Sequence, residues 1–335
     1  MAVTIKDVAL KAGVSPSTVS RVLSNNPSIS ENTRKRVQKA MAELHYYPNL
    51  TARSLVSKES KVVGIVLPKS SDAFYQNPFF PTTLRGINEV AAESGFSLLL
   101  NTGQTDQARL NHIYQMVNGR QVDGLIFMYA SENDPILDFV RESKIPYVII
   151  GQTDSWETNF VDNNNEAIAK QGTQYFLDQG LRNIAFIGGE GQQRFVQSRF
   201  QGYQKALEAH DIPVNPDWIF NSGLFLPETG HKYAKIISNI PEIEAVVIVD
   251  QLIARGFKDG IKFMGHNIPY LTFKAFKSHA LPSNTNPYLN INAQELGQRA
   301  FKILYDVLTE DNKEQTRFYH EVVNAELVLG ACDTK

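Results

Sequence analysis

Apolar positions fall into two regimes along the chain: sparse helical stripes before residue 60, then dense apolar runs alternating with amphipathic stretches. In the first regime, TIKDVALKAGVSPSTVSRVL (residues 4–23) predicts two short helices joined by a tight turn. Thr4 is a natural N-cap, with Asp7 as the acidic partner of a capping box. Val8, Ala9 and Ala12 share a face with Ile5, and Gly13 stands where a helix end wants a left-handed residue. Ser15 caps the second helix, Pro16 occupies its first turn, and Val19, Val22 and Leu23 point inward. Ser15, Ser17, Thr18 and Arg21 remain on the outer face. Small hydroxyls and an arginine on such a helix suit a major-groove reader, although an ordinary helical hairpin gives the same spacing. Ser30 caps a third helix reaching about His45, with Val37, Ala40, Met41 and Leu44 inward and Arg34, Lys35, Arg36 and Lys39 outward. Such a core is marginal alone. Tyr46-Tyr47-Pro48 ends this headpiece, and 49–56 offers about two turns of helix, too short to be stable alone in water.

From Val62 the runs VVGIVL (62–67), FSLLLN (96–101), VDGLIFMY (122–129), PYVIIG (146–151), NIAFIGG (183–189), AVVIVD (245–250), PYLTF (269–273) and LNIN (289–292) read as strands, with a weaker one near 218–220. Between them lie helices opened by Pro81 or spanning 106–118, 134–142, 164–179, 193–209, 227–238, 251–264 and 293–308, and a strand pair closes the chain within 316–329. All-apolar strands alternating with helices predict parallel sheets covered on both faces. The run is too long for one sheet and breaks near residue 161, so two doubly wound lobes should enclose a cleft at their strands' carboxyl ends.

Composition sharpens this picture through charge. The net charge of −2 conceals nine Lys and Arg against four acids in residues 1–60, a local +5 on a body of −7. A basic module on an acidic body points to the module as the part that meets a polyanion. The single cysteine, Cys332, excludes an internal disulfide and fits a reducing compartment. With neither a signal-like apolar segment nor a membrane span, a cytoplasmic location is expected.

Candidate chemistry gathers at the predicted strand ends. The loop 68–80 carries Asp72, Phe79 and Phe80, a mixture that suits sugars, since rings stack on pyranose faces and carboxylates accept hydroxyls. The phenylalanines could equally cap the lobe core. Tyr129 ends the third run, Asp162 and Asn163 lie at the crossover between lobes, and Asp250 ends the 245–249 run. Asp162 reads as either a ligand carboxylate or a helix N-cap. Arg199, placed in the first turn of a helix at the cleft edge, can give two parallel hydrogen bonds to vicinal hydroxyls or a carboxylate. There is no G-x-S-x-G, no dinucleotide or P-loop glycine pattern, and no metal spacing among the seven histidines. The economical reading is a binding cleft without catalysis, metal or cofactor.

The headpiece, hinge and double lobe in that order resemble the lactose/galactose-repressor (LacI/GalR) family of transcription regulators over essentially the whole length. The resemblance rests on TIKDVALKAGVSPSTVSRVL, YYPNLTARSL and RFQGYQKAL. A closer likeness to maltose-operon repressors of Gram-positive bacteria is carried by VLPKSSDAFYQNPFFPTTLRGI, RVQKAMAEL, QMVNGRQVDGLIFMYA, VDNNNEAI and LNINAQELG. It implies a three-helix helix-turn-helix headpiece (1–47), a hinge helix and linker (48–61), and two lobes of periplasmic-binding-protein type. The lobes would comprise 62–161 with 292–319, and 162–291 with 320–335. It also implies a homodimer on operator DNA and no membrane association. By the same resemblance Thr4, Ser15, Pro16, Ser17, Thr18 and Arg21 would serve the major groove. Tyr47, Asn49, Ala52, Arg53 and Leu55 would serve the minor groove, Leu55 as a wedge between central base pairs. Asp72, Phe79, Phe80, Tyr129, Arg199 and Asp250 would hold a sugar effector, maltose or a related α-glucoside. Two departures bear on that effector: Lys274 replaces a family carboxylate, and Val249 precedes Asp250 where Asn or Thr is usual. Lys274 leaves open an acidic or phosphorylated ligand, and a phosphoprotein corepressor is the other alternative within the family. A plain sugar-binding protein would need an export signal and no headpiece; an enzyme would need a catalytic set.

Overall fold

The computed structural model describes residues 3–24, 26–47, 59–68, 75–103, 105–129, 134–153, 155–191, 193–277, 286–310 and 317–329. The chain divides into two units, Met1–Ser60 and Lys61–Lys335.

In the first unit, α1 (Ile5–Ala12), α2 (Pro16–Leu23) and α3 (Glu31–Glu43) follow the apolar stripes. The Asp7 carboxylate accepts from the Thr4 N–H at 2.8 Å and from its hydroxyl at 2.7 Å, which fixes the start of α1. Gly13 ends the helix at φ +63°, and the Val14 N–H turns back to the Ala9 carbonyl at 3.0 Å. Val8, Val19 and Val37 are fully buried at the centre of the shared core. Two bases expected on the outer face of α3 instead hold the headpiece together. Arg34 donates to the Asn26 carbonyl at 3.2 Å, and Arg36 donates to the carbonyls of Ala12 and Gly13. The reason is geometric: the last carbonyls of α1 have no helical partner, and the guanidinium fork reaches them.

The second unit contains two six-stranded sheets. The first sheet comprises β1 (Val62–Val66), β2 (Ser97–Asn101), β3 (Gly124–Phe127), β4 (Tyr147–Ile150), β5 (Asn159–Asn163) and β11 (His320–Val323), ordered β11-β5-β4-β3-β1-β2 and parallel throughout. The second comprises β6 (Ile184–Ile187), β7 (Ile219–Phe220), β8 (Ala245–Ile248), β9 (Tyr270–Lys274), β10 (Tyr288–Asn290) and β12 (Glu326–Val328), ordered β12-β10-β9-β8-β6-β7.

Each sheet is buried on both faces, as its continuous apolar strands require. On the first, α4 (Phe79–Glu93) and α11 (Ala293–Thr309) place Ile87, Leu296 and Phe301 against Val63, Ile126 and Val148. α5 (Asp106–Asn118) and α6 (Pro135–Ser143) cover its other face through Ile113, Met116 and Val140. On the second, α7 (Asn165–Asp178) and α8 (Arg194–Glu208) supply Phe176 and Tyr203, and α9 (Pro227–Ile237) and α10 (Gln251–Phe263) supply Ile237 and Phe257. Pro81, expected to open α4, sits at its third residue, where the missing N–H is still tolerated.

Three strands connect the lobes, and here the structure corrects the sequence reading. Asp162 and Asn163, read as lying at the crossover beyond a first lobe ending at residue 161, belong to strand β5, so the first lobe runs to Asn163. The closing pair of strands is shared out, β11 joining the first sheet beside β5 and β12 the second beside β10, which places 320–323 in the first lobe. β12 is antiparallel, a departure from an all-parallel sheet. β11 ends at the cleft beside β5, and the chain passes through residues 324 and 325 directly into the second lobe, so β12 starts at the cleft and runs away from it, opposite to β10. Buried Asn163 ties the crossings together, its side-chain amide donating to the carbonyls of Ile291 at 3.1 Å and Val323 at 2.9 Å.

Candidate functional site

In the headpiece, Ser15 is committed to capping α2: its Oγ accepts from the Thr18 N–H at 3.2 Å and lies 2.7 Å from Ser17 Oγ and 2.9 Å from Thr18 Oγ1. Thr4 is likewise engaged with Asp7. Pro16, Ser17 and Arg21 are exposed, and Thr18 is half-buried. Lys11, Lys35 and Lys39 pair with glutamates, whereas the Arg21 guanidinium has no partner among the described residues. Tyr47 is 84% exposed. Asn49, Ala52, Arg53 and Leu55 lie outside the described residues, as does Asp72 of the other expected site.

In the second unit, a cavity of about 580 Å³ opens between the lobes where the strands end. Phe79, Phe80, Tyr129, Arg199 and Asp250 all line it, so the structure brings together every expected effector residue that it describes. Phe79 and Phe80 meet edge to face at 5.3 Å, and Phe79 caps the cores of both lobes while also lining the cavity.

Arg199 sits in the second turn of α8 rather than the first, and its two expected parallel donors are already used. Nε donates to Asn165 Oδ1 at 2.8 Å and Nη1 to the Val249 carbonyl at 2.6 Å. Its guanidinium stacks over Phe273 at 3.7 Å and Phe195 at 4.9 Å. Burial pulls its pKa down to about 10, partly offset by Asp162 and Asp250, so it stays charged at neutral pH. Nη2 is then the donor with no protein partner among the described residues.

Asp162 is not a helix cap. That role belongs to Asn164, whose side chain accepts from the Ala167 N–H at 3.0 Å. Asp162 accepts from the backbone of Gln152 and Asn163 and from the Asn165 amide, and burial pushes its pKa up to about 6 against those bonds and the Arg199 charge. Asp250 does cap a helix. Its Oδ1 accepts from Leu252 and Ile253 of α10, while its Oδ2 accepts from Asn77 at 2.9 Å. Burial raises its pKa as well. Asn77, in turn, accepts at Oδ1 from Gln251 at 2.9 Å and from the Phe79 N–H at 3.0 Å, so it clasps the two lobes across the cleft. Lys274 does not line the cavity; its ammonium lies 4.1 Å from the Tyr288 ring centroid.

The first lobe contributes a set that the sequence reading did not single out apart from Tyr129. Arg109 is 3% exposed and donates to the Leu67 carbonyl at 2.8 Å and to the Tyr129 hydroxyl, with Asp106 at 3.4 Å. The Tyr129 hydroxyl donates to Asp134, which caps α6 at Ile136. Burial first and Asp134 second raise the Tyr129 pKa, so the phenol remains protonated. The signal for Arg109 was present: it shares a helical stripe with Ile113 and Met116, a charge on a face turned to the core.

Residues 4–49 match the lacI family of bacterial regulatory proteins, and residues 60–324 match the periplasmic binding proteins and sugar binding domain of LacI family. The chain belongs to the LacI family. It is 41% identical to the HTH-type transcriptional regulator MalR of Streptococcus pneumoniae over 98% of this chain and 99% of that one. Among solved structures, the lac repressor dimer bound to operator and the anti-inducer ONPF superposes at a TM-score of 0.80 with 21% identity, covering 98% of each chain. The complex of the regulator CelR with cellobiose superposes at 0.73 with 24% identity, again over 98% of each chain. As a LacI-family member the chain is a DNA-binding transcriptional repressor with a sugar-binding domain, and its relatives are regulators rather than enzymes. Among the described residues, no helix is long and apolar enough to cross a membrane.

Proposed function

We propose that this LacI-family repressor binds a near-palindromic operator as a homodimer and is released from it by a neutral α-glucoside, maltose or a close relative, held in the cleft. The observation that carries the effector class is the charge of the cleft wall. Five carboxylates (Asp106, Asp134, Asp162, Glu190 and Asp250) face three arginines (Arg109, Arg194 and Arg199), and Lys274 is turned onto Tyr288. An anionic ligand would meet an acidic surplus, whereas a polyol finds acceptors, aromatic faces and the remaining Arg199 donor. The 41% identity to MalR supports the same effector class.

On the DNA side, the exposed Ser17 and Arg21 read base edges while Ser15 and Thr4 hold the helices that present them. Tyr47, Asn49, Ala52 and Arg53 engage the minor groove, and Leu55 wedges its central step. Sugar in the cleft binds the two lobe arrangements unequally, and operator affinity falls by that difference.

Retardation of the operator at fixed salt, with maltose, trehalose, glucose 6-phosphate or no ligand, tests this. Maltose should weaken DNA binding at least tenfold. Release by glucose 6-phosphate alone would overturn the neutral-sugar reading and favour the phosphorylated alternative.

A further inference from the structure

The cleft is built from two similar ends, one per lobe. In the second lobe, buried Arg199 stacks on Phe273, donates to the carbonyl after β8 and lies near Asp250, the N-cap of α10. In the first lobe, buried Arg109 lies over the Tyr129 ring at 5.4 Å, donates to the carbonyl after β1 and shares Tyr129 with Asp134, the N-cap of α6. Asp134 and Asp250 occupy equivalent places, capping the helices that follow β3 and β8, but α5 and α8, which carry the two arginines, do not, so the pairing of a buried arginine with each end does not follow from the repeat of the fold. Arg109 Nε is moreover buried with no hydrogen-bond partner among the described residues. A charge that deep and incompletely paired is costly to the fold, and it stands on the wall of the ligand cavity.

Size gives an independent reason for two ends. One hexopyranose fills roughly 200 Å³, on the order of six liquid-water volumes. A cavity of about 580 Å³ holds two such rings with a few waters.

We propose that Arg109, Tyr129 and Asp134 form a second sugar subsite, on the first lobe, which takes one ring of a neutral disaccharide while the Arg199 end takes the other. This rests on the neutral-sugar reading above and extends it to ligand length. Tyr129 and Asp134 are the contact residues. The phenol presents its ring face and its oxygen, and the Asp134 carboxylate accepts a ring hydroxyl beside the bond from Tyr129. Arg109 is a positioning residue, holding the Tyr129 oxygen by a donated hydrogen bond. The two rings are then gripped by different lobes, so the glycosidic linkage itself bridges the cleft.

Calorimetric titration of the full chain with maltose, glucose and methyl α-glucoside tests the subsite. The wild type should bind maltose at least tenfold more tightly than either monosaccharide. Tyr129→Phe should weaken maltose at least tenfold while changing the monosaccharides less than twofold, and Arg109→Lys should retain part of the maltose affinity that Arg109→Gln loses. Each variant loses a buried hydrogen bond and should melt lower, so the retained monosaccharide affinity is the readout that separates loss of the subsite from loss of the fold. Equal weakening of all three sugars by Tyr129→Phe, or no weakening of maltose, overturns the subsite and leaves the neutral-sugar reading standing. A wild type that binds none of the three overturns that reading and the subsite with it.

Discussion

Asp162 and Arg199 are charges held where solvation is poor, and each is accommodated by specific partners. Asp162 has three donors and still titrates near 6, because burial outweighs them. Relative to an unfolded value near 3.8, the folded chain therefore binds an extra proton between about pH 4 and pH 6. The contribution of this group to stability is largest at low pH and falls as pH rises through 6. Denaturant melts of wild type and Asp162→Asn, compared from pH 4 to pH 7, should show the wild type losing up to roughly 3 kcal/mol relative to the variant. A constant difference across that range would mean that the carboxylate titrates normally.

At the residue scale, cap chemistry was legible wherever one candidate stood alone, as at Thr4, Ser15 and Ser30, while the capping role of Asp250 emerged only from the structure. It misled at Asp162, because the run DNNN offers several caps in succession and only packing selects Asn164. Arg36 was misplaced for a related reason: helical spacing gives the face of a side chain but not what a long side chain reaches around that face to bond.

Among elements, helix pairs pack at distances that only glycine allows. A Cβ on Gly202 of α8 would stand 2.1 Å from the Glu166 carbonyl of the neighbouring α7. Alanine gains about 1 kcal/mol in helix propensity, but here the two helices must separate, and overpacking costs about 1–3 kcal/mol. We expect Gly202→Ala to lower the unfolding free energy by about 2 kcal/mol in chemical denaturation, with the cleft chemistry unchanged. An unchanged midpoint would mean that α7 yields freely. The long amphipathic helices were read within a residue or two at 106–118 and 251–264, because their stripes meet a continuous core. β5 was missed because NFVDN puts polar residues at both ends of a strand that is nonetheless paired on both sides, with β4 and β11.

For the molecule as a whole, the lobes are joined across the cleft by Asn77, which grips both Asp250 and Gln251. Asn77→Ala removes both bonds, each worth on the order of 1 kcal/mol. The lobes should open more readily, and effector dissociation measured by stopped flow should quicken about tenfold. An unchanged rate would mean that the crossings alone set the lobe angle. The two-lobe plan was legible from the alternation of runs, while the sharing of the last strands was not. Which sheet a short strand joins depends on contacts distant in sequence, and β11 meets β5 across some 160 residues.

That sharing also governs the order of events during synthesis. The first lobe is begun at Val62, yet its sheet waits for α11 and β11 near the far end of the chain. Until Leu296, Phe301 and Leu304 arrive, the face bearing Val63, Ile126 and Val148 is covered by α4 alone. A nascent chain stopped before Ala293 therefore presents a half-covered sheet face to chaperones and proteases, and it should be recovered as insoluble or degraded material. The lobe begun first on the ribosome is completed only after most of the second lobe has emerged.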